Sequence, residues 1–199
     1  MPTKPRAKKL TPRLATIPEA QLNATQRALV AALRAGPRGP NVTLDGPFGC
    51  YLHAPEAGNV IQHFAAFFRF NTRLPKRLSE FAILTIGRLW KAQYEFYVHA
   101  KEAERVGVKP ETIRDLKAGR APKKAPKDER AIYDFVHELH RKRRVSDRNY
   151  ARVHAFMDDA AMVEFIGILG CYTLVSMVLN TFRVPVPAGS VAPFTEPAV

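Results

Sequence analysis

Residues 162–182, MVEFIGILGCYTLVSMVLNTF, constrain this chain more than any other stretch. The run has the length that crosses the hydrocarbon core of a bilayer. Against a membrane span stand Glu164, Thr173, Ser176, Asn180 and two glycines inside it, and no second run accompanies it. In lipid each of those polar groups needs a partner. A helix apolar nearly all round can instead sit at the centre of a bundle or an oligomer. That reading excludes a membrane anchor and requires other helices to pack around residues 162–182.

The rest of the chain supplies them. Asn23 with Gln26 three residues on has the form of a capping box, and the helix it opens carries Leu29, Val30 and Leu33 before Gly36 ends it. GPRGPNVTLDGPFGCYLHAPE follows as a long loop punctuated by glycine and proline, with Cys50, Tyr51 and His53 near its end. Pro55, Pro75 and Pro110 open further helices, with another at about 93–106, and Ser146 caps a late one. The class is all-α. The expected organisation is a flexible basic arm over 1–22, one helical domain over 23–187, and an extended proline-rich tail over 188–199.

Charge narrows the reading. Among 199 residues Lys and Arg outnumber Asp and Glu by 31 to 18, a formal +13. The excess sits in two patches: five cations without an acid in residues 1–13, and twelve cations against five acids in 117–152. A basic arm has the composition for non-specific contact with nucleic acid through counterion release. No recognition pattern of a nucleic-acid module accompanies it, so the arm reads as a solvated tail. Cys50 and Cys171 stand in no metal-ligand or redox spacing, which points to reduced thiols, a cytoplasmic setting and no metal.

Chemistry concentrates in RLSEFAILTIGRLWKAQYEFYVHAKEAERVG. Glu95 and His99 are four residues apart, so they share a helix face. A carboxylate beside an imidazole fixes its tautomer and raises its basicity, giving an acid–base unit near neutral pH. Glu80, on the preceding helix, folds back within reach of the same pocket. Tyr172 and Asn180 on the apolar helix, with Thr173 and Ser176, form a polar face that binds substrate if it meets that pocket. Arg69 is a candidate for holding a carboxylate. His53, in the long loop, is a further candidate. His63 reads as structural, and His137, His140 and His154 as solvated. The expected pocket walls are Phe67, Tyr94 and Tyr172.

The segment LPKRLSEFAILTIGRLWKAQYEFYVHAKEAERVGV resembles the superfamily of carboxymuconolactone decarboxylases and AhpD-like alkylhydroperoxidases, and the resemblance extends over roughly 45–187. In the peroxidase branch a Glu, a Cys-x-x-Cys pair and a His form a proton relay. Glu80 and His99 fit the relay positions, while the two cysteine positions read Ala92 and Glu95. A thiol peroxidase needs a thiolate, so that activity is not expected. The decarboxylase branch has Glu-Phe-x-x-His, which Glu95-Phe96-Tyr97-Val98-His99 matches. That resemblance implies an AhpD-like helical bundle assembling into trimers or hexamers. It also implies a lyase that acts on a small carboxylated lactone or related oxygenated acid without a cofactor. The alternatives are a non-catalytic oligomeric binding protein of the same fold and an AhpD-like peroxidase-related protein that lacks the dithiol.

Overall fold

A computed structural model describes residues 11–195. Helix starts fall where the sequence supplies caps. Asn23 Oδ1 accepts from Gln26 N at 2.9 Å and Gln26 Oε1 accepts from Asn23 N at 2.8 Å, closing the capping box of α1 (Ala24–Ala35). The long loop after it is not wholly irregular, because Pro47 opens a short helix, α2 (Pro47–Tyr51). There follow α3 (Pro55–Phe70), α4 (Lys76–Leu89), α5 (Gln93–Arg105) and α6 (Pro110–Lys117). The last three are α7 (Lys127–Lys142), α8 (Asp147–His154) and α9 (Asp159–Phe182). Ser146 caps α8, and Asp158 caps α9 by accepting from Ala161 N at 2.7 Å. Among the described residues there is no strand.

Two helices organise the core. Every residue of α4 from Leu78 to Gly87 is buried, since α5, α6, α7 and α9 surround it. Helix α9 packs on α2, α3, α4 and α5. Its inner face presents Phe165, Ile168, Leu169 and Tyr172 to a continuous core with Phe81, Phe96, Ile132 and Phe135. A smaller cluster joins Leu22, α1 and the end of α2.

Helix α9 is the one described helix long and apolar enough to cross a membrane, and half of its most apolar stretch is buried against other helices. It is therefore not buried all round. Val163, Ile166 and Met177 are exposed on its outer face, and on neighbouring α3 so are Val60, Phe64 and Phe67. The two helices approach so closely that a Cβ on Gly167 would lie 2.0 Å from the Phe68 ring.

The described parts of both flanking segments are held to this body. Residues 1–10 and 196–199 lie outside the described residues. Within the rest of the basic arm, Arg13 N donates to Phe182 O at 3.0 Å and Arg13 Nη1 to Thr181 O at 2.9 Å. A single 3-10 turn, Glu19–Gln21, then leads to buried Leu22. At the other end Phe194 stacks edge-on against Phe96 at 5.6 Å and its N donates to Gln93 Oε1 at 3.1 Å. Extended chain of this composition has unpaired backbone groups, and here side chains of α5 satisfy some of them.

Candidate active site

A tight turn through Lys91, whose φ is 52°, folds α5 back on α4. The turn brings Glu80 of α4 to the imidazole of His99 on α5. His99 Nδ1 lies 2.6 Å from Glu80 Oε2, in line for a hydrogen bond. On the other side of the ring, Nε2 lies 3.0 Å from Glu95 Oε1. That second contact is an ion pair out of hydrogen-bond alignment, so Glu95 Oε1 is a buried acceptor with no hydrogen-bond partner among the described residues. All three side chains are nearly inaccessible: His99 is 3% exposed, Glu80 and Glu95 4% each.

The electrostatics follow from this sandwich. Burial pulls the imidazole toward neutrality, but the charges of Glu80 and then Glu95 outweigh it and raise the pKa of His99 to about 9. At neutral pH the group is an imidazolium whose Nδ1–H is in line with Glu80 and whose Nε2–H lies beside Glu95, out of line with it. The ring of Tyr172 meets His99 edge-on at 5.1 Å. Burial holds the Tyr172 hydroxyl well above the ordinary phenol range, so it remains protonated.

Glu95, His99 and Tyr172 line a cavity of about 310 Å³, closed by Tyr51, Phe48, Tyr94, Val175, Arg38 and Arg69. Glu80 does not line it and acts from behind the imidazole. A neighbouring cavity of about 280 Å³ lies between residues 12–17 and 182–188, and Asp45, Tyr94 and Pro187 border both. Tyr94 stands hard against Gly46, whose φ is 60° and where a Cβ would fall 2.4 Å from the ring.

The structure brings together five of the seven sequence-predicted residues: His99, Glu95, Glu80, Tyr172 and Arg69. It does not bring in Asn180, which is exposed and donates from Nδ2 to Trp90 O at 2.6 Å. Nor does it bring in His53, whose Nε2 contacts Ala15 O at 2.9 Å and so tethers the arm. Phe67 is no wall either, being 46% exposed on the outer side of α3. The polar residues of α9 disperse: Thr173 Oγ1 is 3.4 Å from His140 Nε2, while Ser176 is buried under the helix. His140 is thus engaged and not solvated, as is His137, which packs on Tyr133 with ring centres 4.0 Å apart. Arg38 and Phe48 line the cavity without having been singled out in sequence. Their signal was the length of the glycine- and proline-rich loop, which here folds over the site.

Among the described residues no group of three or more His, Cys, Asp or Glu side chains is arranged to hold a metal ion. Glu80 and Glu95 lie on opposite edges of the ring and cannot converge on one ion with it. Cys171 is buried and its thiol is pushed up to about 12 by burial and then by Glu95. Burial also raises the thiol of Cys50. Neither has the thiolate character that peroxide reduction demands.

No family model and no curated protein matches the sequence. Solved structures do match. One is an alkylhydroperoxidase AhpD core, an uncharacterised peroxidase-related protein from Ralstonia eutropha JMP134, with TM-score 0.73 and 15% identity over 89% of this chain and 93% of that one. A peroxidase-related protein from Silicibacter sp. TM1040 gives 0.71 and 12% identity over 94% and 96%. A protein of unknown function from Agrobacterium tumefaciens gives 0.62 and 18% over 70% and 96%. Identities this low speak for architecture and not for chemistry. The chain has the AhpD-like helical fold.

Proposed function

We propose that this protein is a cofactor-independent enzyme that transfers a proton to or from a small oxygenated organic acid. The observation that carries the reading is the buried imidazolium of His99, clamped between Glu80 and Glu95 beside a mostly apolar cavity. A structural ion pair has no need of a cavity, and a surface pair has no need of burial. Glu80 fixes the ring, and the Nε2 edge with Glu95 does the chemistry.

The Glu95-Phe96-x-x-His99 pattern favours the carbon–carbon lyase form of this reaction, on a carboxylated lactone. There the bond to a carboxylate carbon breaks, CO2 leaves, and its electron pair passes into the conjugated lactone as an enolate. His99 then delivers the Nε2 proton to carbon, and solvent restores it. Arg69 steadies the anion. The purified protein, screened against carboxylated lactones with release of CO2 as the readout, tests this. Turnover that falls at least ~100-fold in His99→Ala is expected. Turnover unchanged in that variant overturns the assignment.

The exposed apolar side chains of α3 and α9 support assembly of copies of this chain, and with it the second reading, a non-catalytic oligomeric binding protein. Light scattering on the eluting protein decides assembly, since a stable monomer at micromolar concentration contradicts it. A gel shift with DNA across a salt series tests the basic patches, because counterion-release binding weakens steeply with salt.

A further inference from the structure

The cavity carries two arginines, and neither is within ion-pair distance of the two acids that also line it, Asp45 and Glu95. Arg38, from the loop after α1, and Arg69, from the last turn of α3, both line it. Three other partly covered arginines meet carboxylates: Arg34 pairs with Glu19, Arg77 with Asp128 and Glu129, and Arg152 with Asp134, whereas Arg88 donates to Lys117 O and lies over the Phe194 ring. Arg38 and Arg69 form no ion pair among the described residues.

The donors of Arg38 are poorly used. Its Nη1 makes two long bonds, 3.3 Å each, to the backbone O and Oε1 of Gln62, and its Nε is buried without a partner. Aromatic faces hold the guanidinium instead, with Phe48 at 5.2 Å and Phe70 at 5.8 Å. Arg69 lies over the same Phe70 ring at 5.4 Å. With Lys76 Nζ at 5.8 Å, three like charges share that ring, and the two arginines also share one cavity wall; burial together with Arg69 lowers the pKa of Arg38. An anion relieves that repulsion, and guanidinium pairs recognise carboxylates. Glu95 lines the same cavity with an unpartnered acceptor oxygen. It repels an anion and accepts from a donor, so it sets which end of a ligand lies where.

We infer that the cavity binds a small amphipathic carboxylate. Arg38 and Arg69 hold its carboxylate, aromatic side chains cover its apolar body, and Glu95 accepts from a hydroxyl on that body. The volume, about 310 Å³, suits a ligand of roughly ten to fifteen heavy atoms. The choice of site rests on the acid–base function proposed above, but its test reads binding and not turnover.

Titration calorimetry on the full chain with phenylacetate, 4-hydroxyphenylacetate and the neutral 4-hydroxyphenylacetamide decides the matter. We expect 4-hydroxyphenylacetate to bind at least about tenfold tighter than the amide. Arg38→Met and Arg69→Met should each erase that preference, with Arg38→Gln as the substitute should Arg38→Met fail to fold. The hydroxylated acid should bind tighter than phenylacetate. Equal binding of acid and amide, a preference that survives both arginine variants, or no binding of either acid below about 10 mM overturns the inference. Equal binding of the two acids overturns the part given to Glu95. A protein that binds the acids but turns over no lactone sinks the acid–base function and leaves this inference standing. Turnover indifferent to ligand charge does the reverse.

Discussion

Two buried glutamates, Glu95 and Glu138, are 4% and 8% exposed, and they live in opposite circumstances. Glu138 is saturated. It accepts from Lys142 Nζ at 2.9 Å, Ser146 N at 3.1 Å, Ser146 Oγ at 2.8 Å and Asn149 Nδ2 at 2.7 Å. Hydrogen bonds from Lys142 and Ser146 hold its pKa down to about 2, and the cluster fastens the turn from α7 to α8. Glu95 faces a cavity, touches one imidazolium off-axis and has an oxygen that accepts no hydrogen bond. A carboxylate whose lone pairs are all engaged has nothing left to offer a ligand. A buried one left short is costly to the fold, and a cavity beside it is where a ligand restores the missing bond.

The sharpest way to break this contrast is to exchange the losses. Glu138→Gln should lower Tm and leave turnover unchanged. His99→Ala should cut turnover at least ~100-fold, and a comparable loss from Glu138→Gln would erase the distinction. Next in size is the pH dependence of stability. The His99 pKa is raised from 6.5 to about 9, so its contribution is fully present below 6.5 and disappears as pH climbs through about 9. Glu138 runs the other way, since its pKa is lowered from 4.5 to about 2. Its contribution is full above 4.5 and disappears as pH falls toward 2. Urea midpoints measured from pH 3 to 10 should therefore decline at both ends, and His99→Ala should remove the alkaline decline alone.

A smaller effect separates the two partners of the imidazole. Glu80→Gln should lower the His99 pKa, read by nitrogen-detected NMR, because it removes the aligned bond and the larger of the two carboxylate effects. Glu95→Gln should lower it less while costing more turnover. The smallest expected effect is none at all. Cys171→Ser should leave peroxide consumption at background, and a robust thiol-dependent rate abolished by that change would place a reactive sulfur where burial argues against one.

Much of this architecture is legible from punctuation. Asn23, Pro55, Pro110 and Ser146 mark helix starts because capping and proline geometry are local. The triad is legible in part for the same reason: four residues on a helix bring Glu95 to His99 whatever the surroundings. Which carboxylate is in line with an N–H is set by the α4–α5 turn and not by spacing, so the division of labour between Glu80 and Glu95 is not. Helical spacing also fails for Asn180, because a helix like α9, apolar on nearly every side, does not announce which face turns inward, and for Phe67, because α3 carries apolar residues such as Val60 and Phe64 on its exposed face as well. Arg38 is hidden for a different reason. Its place over the cavity depends on how a whole loop closes, and a loop has no period to read.

The contact between Gly46 and Tyr94 bears on how this sequence is free to drift. The ring occupies the space that any β-carbon at position 46 needs, at a backbone angle that already favours glycine. Neither residue is then replaceable alone without loss: a larger residue at 46 displaces the ring, and a smaller one at 94 merges two cavities. A shorter residue at 94 relieves the clash at 46 but not the backbone strain there, so glycine at 46 should persist even in lineages that have shortened 94. In such lineages the specificity of the cavity will have changed while the loop did not.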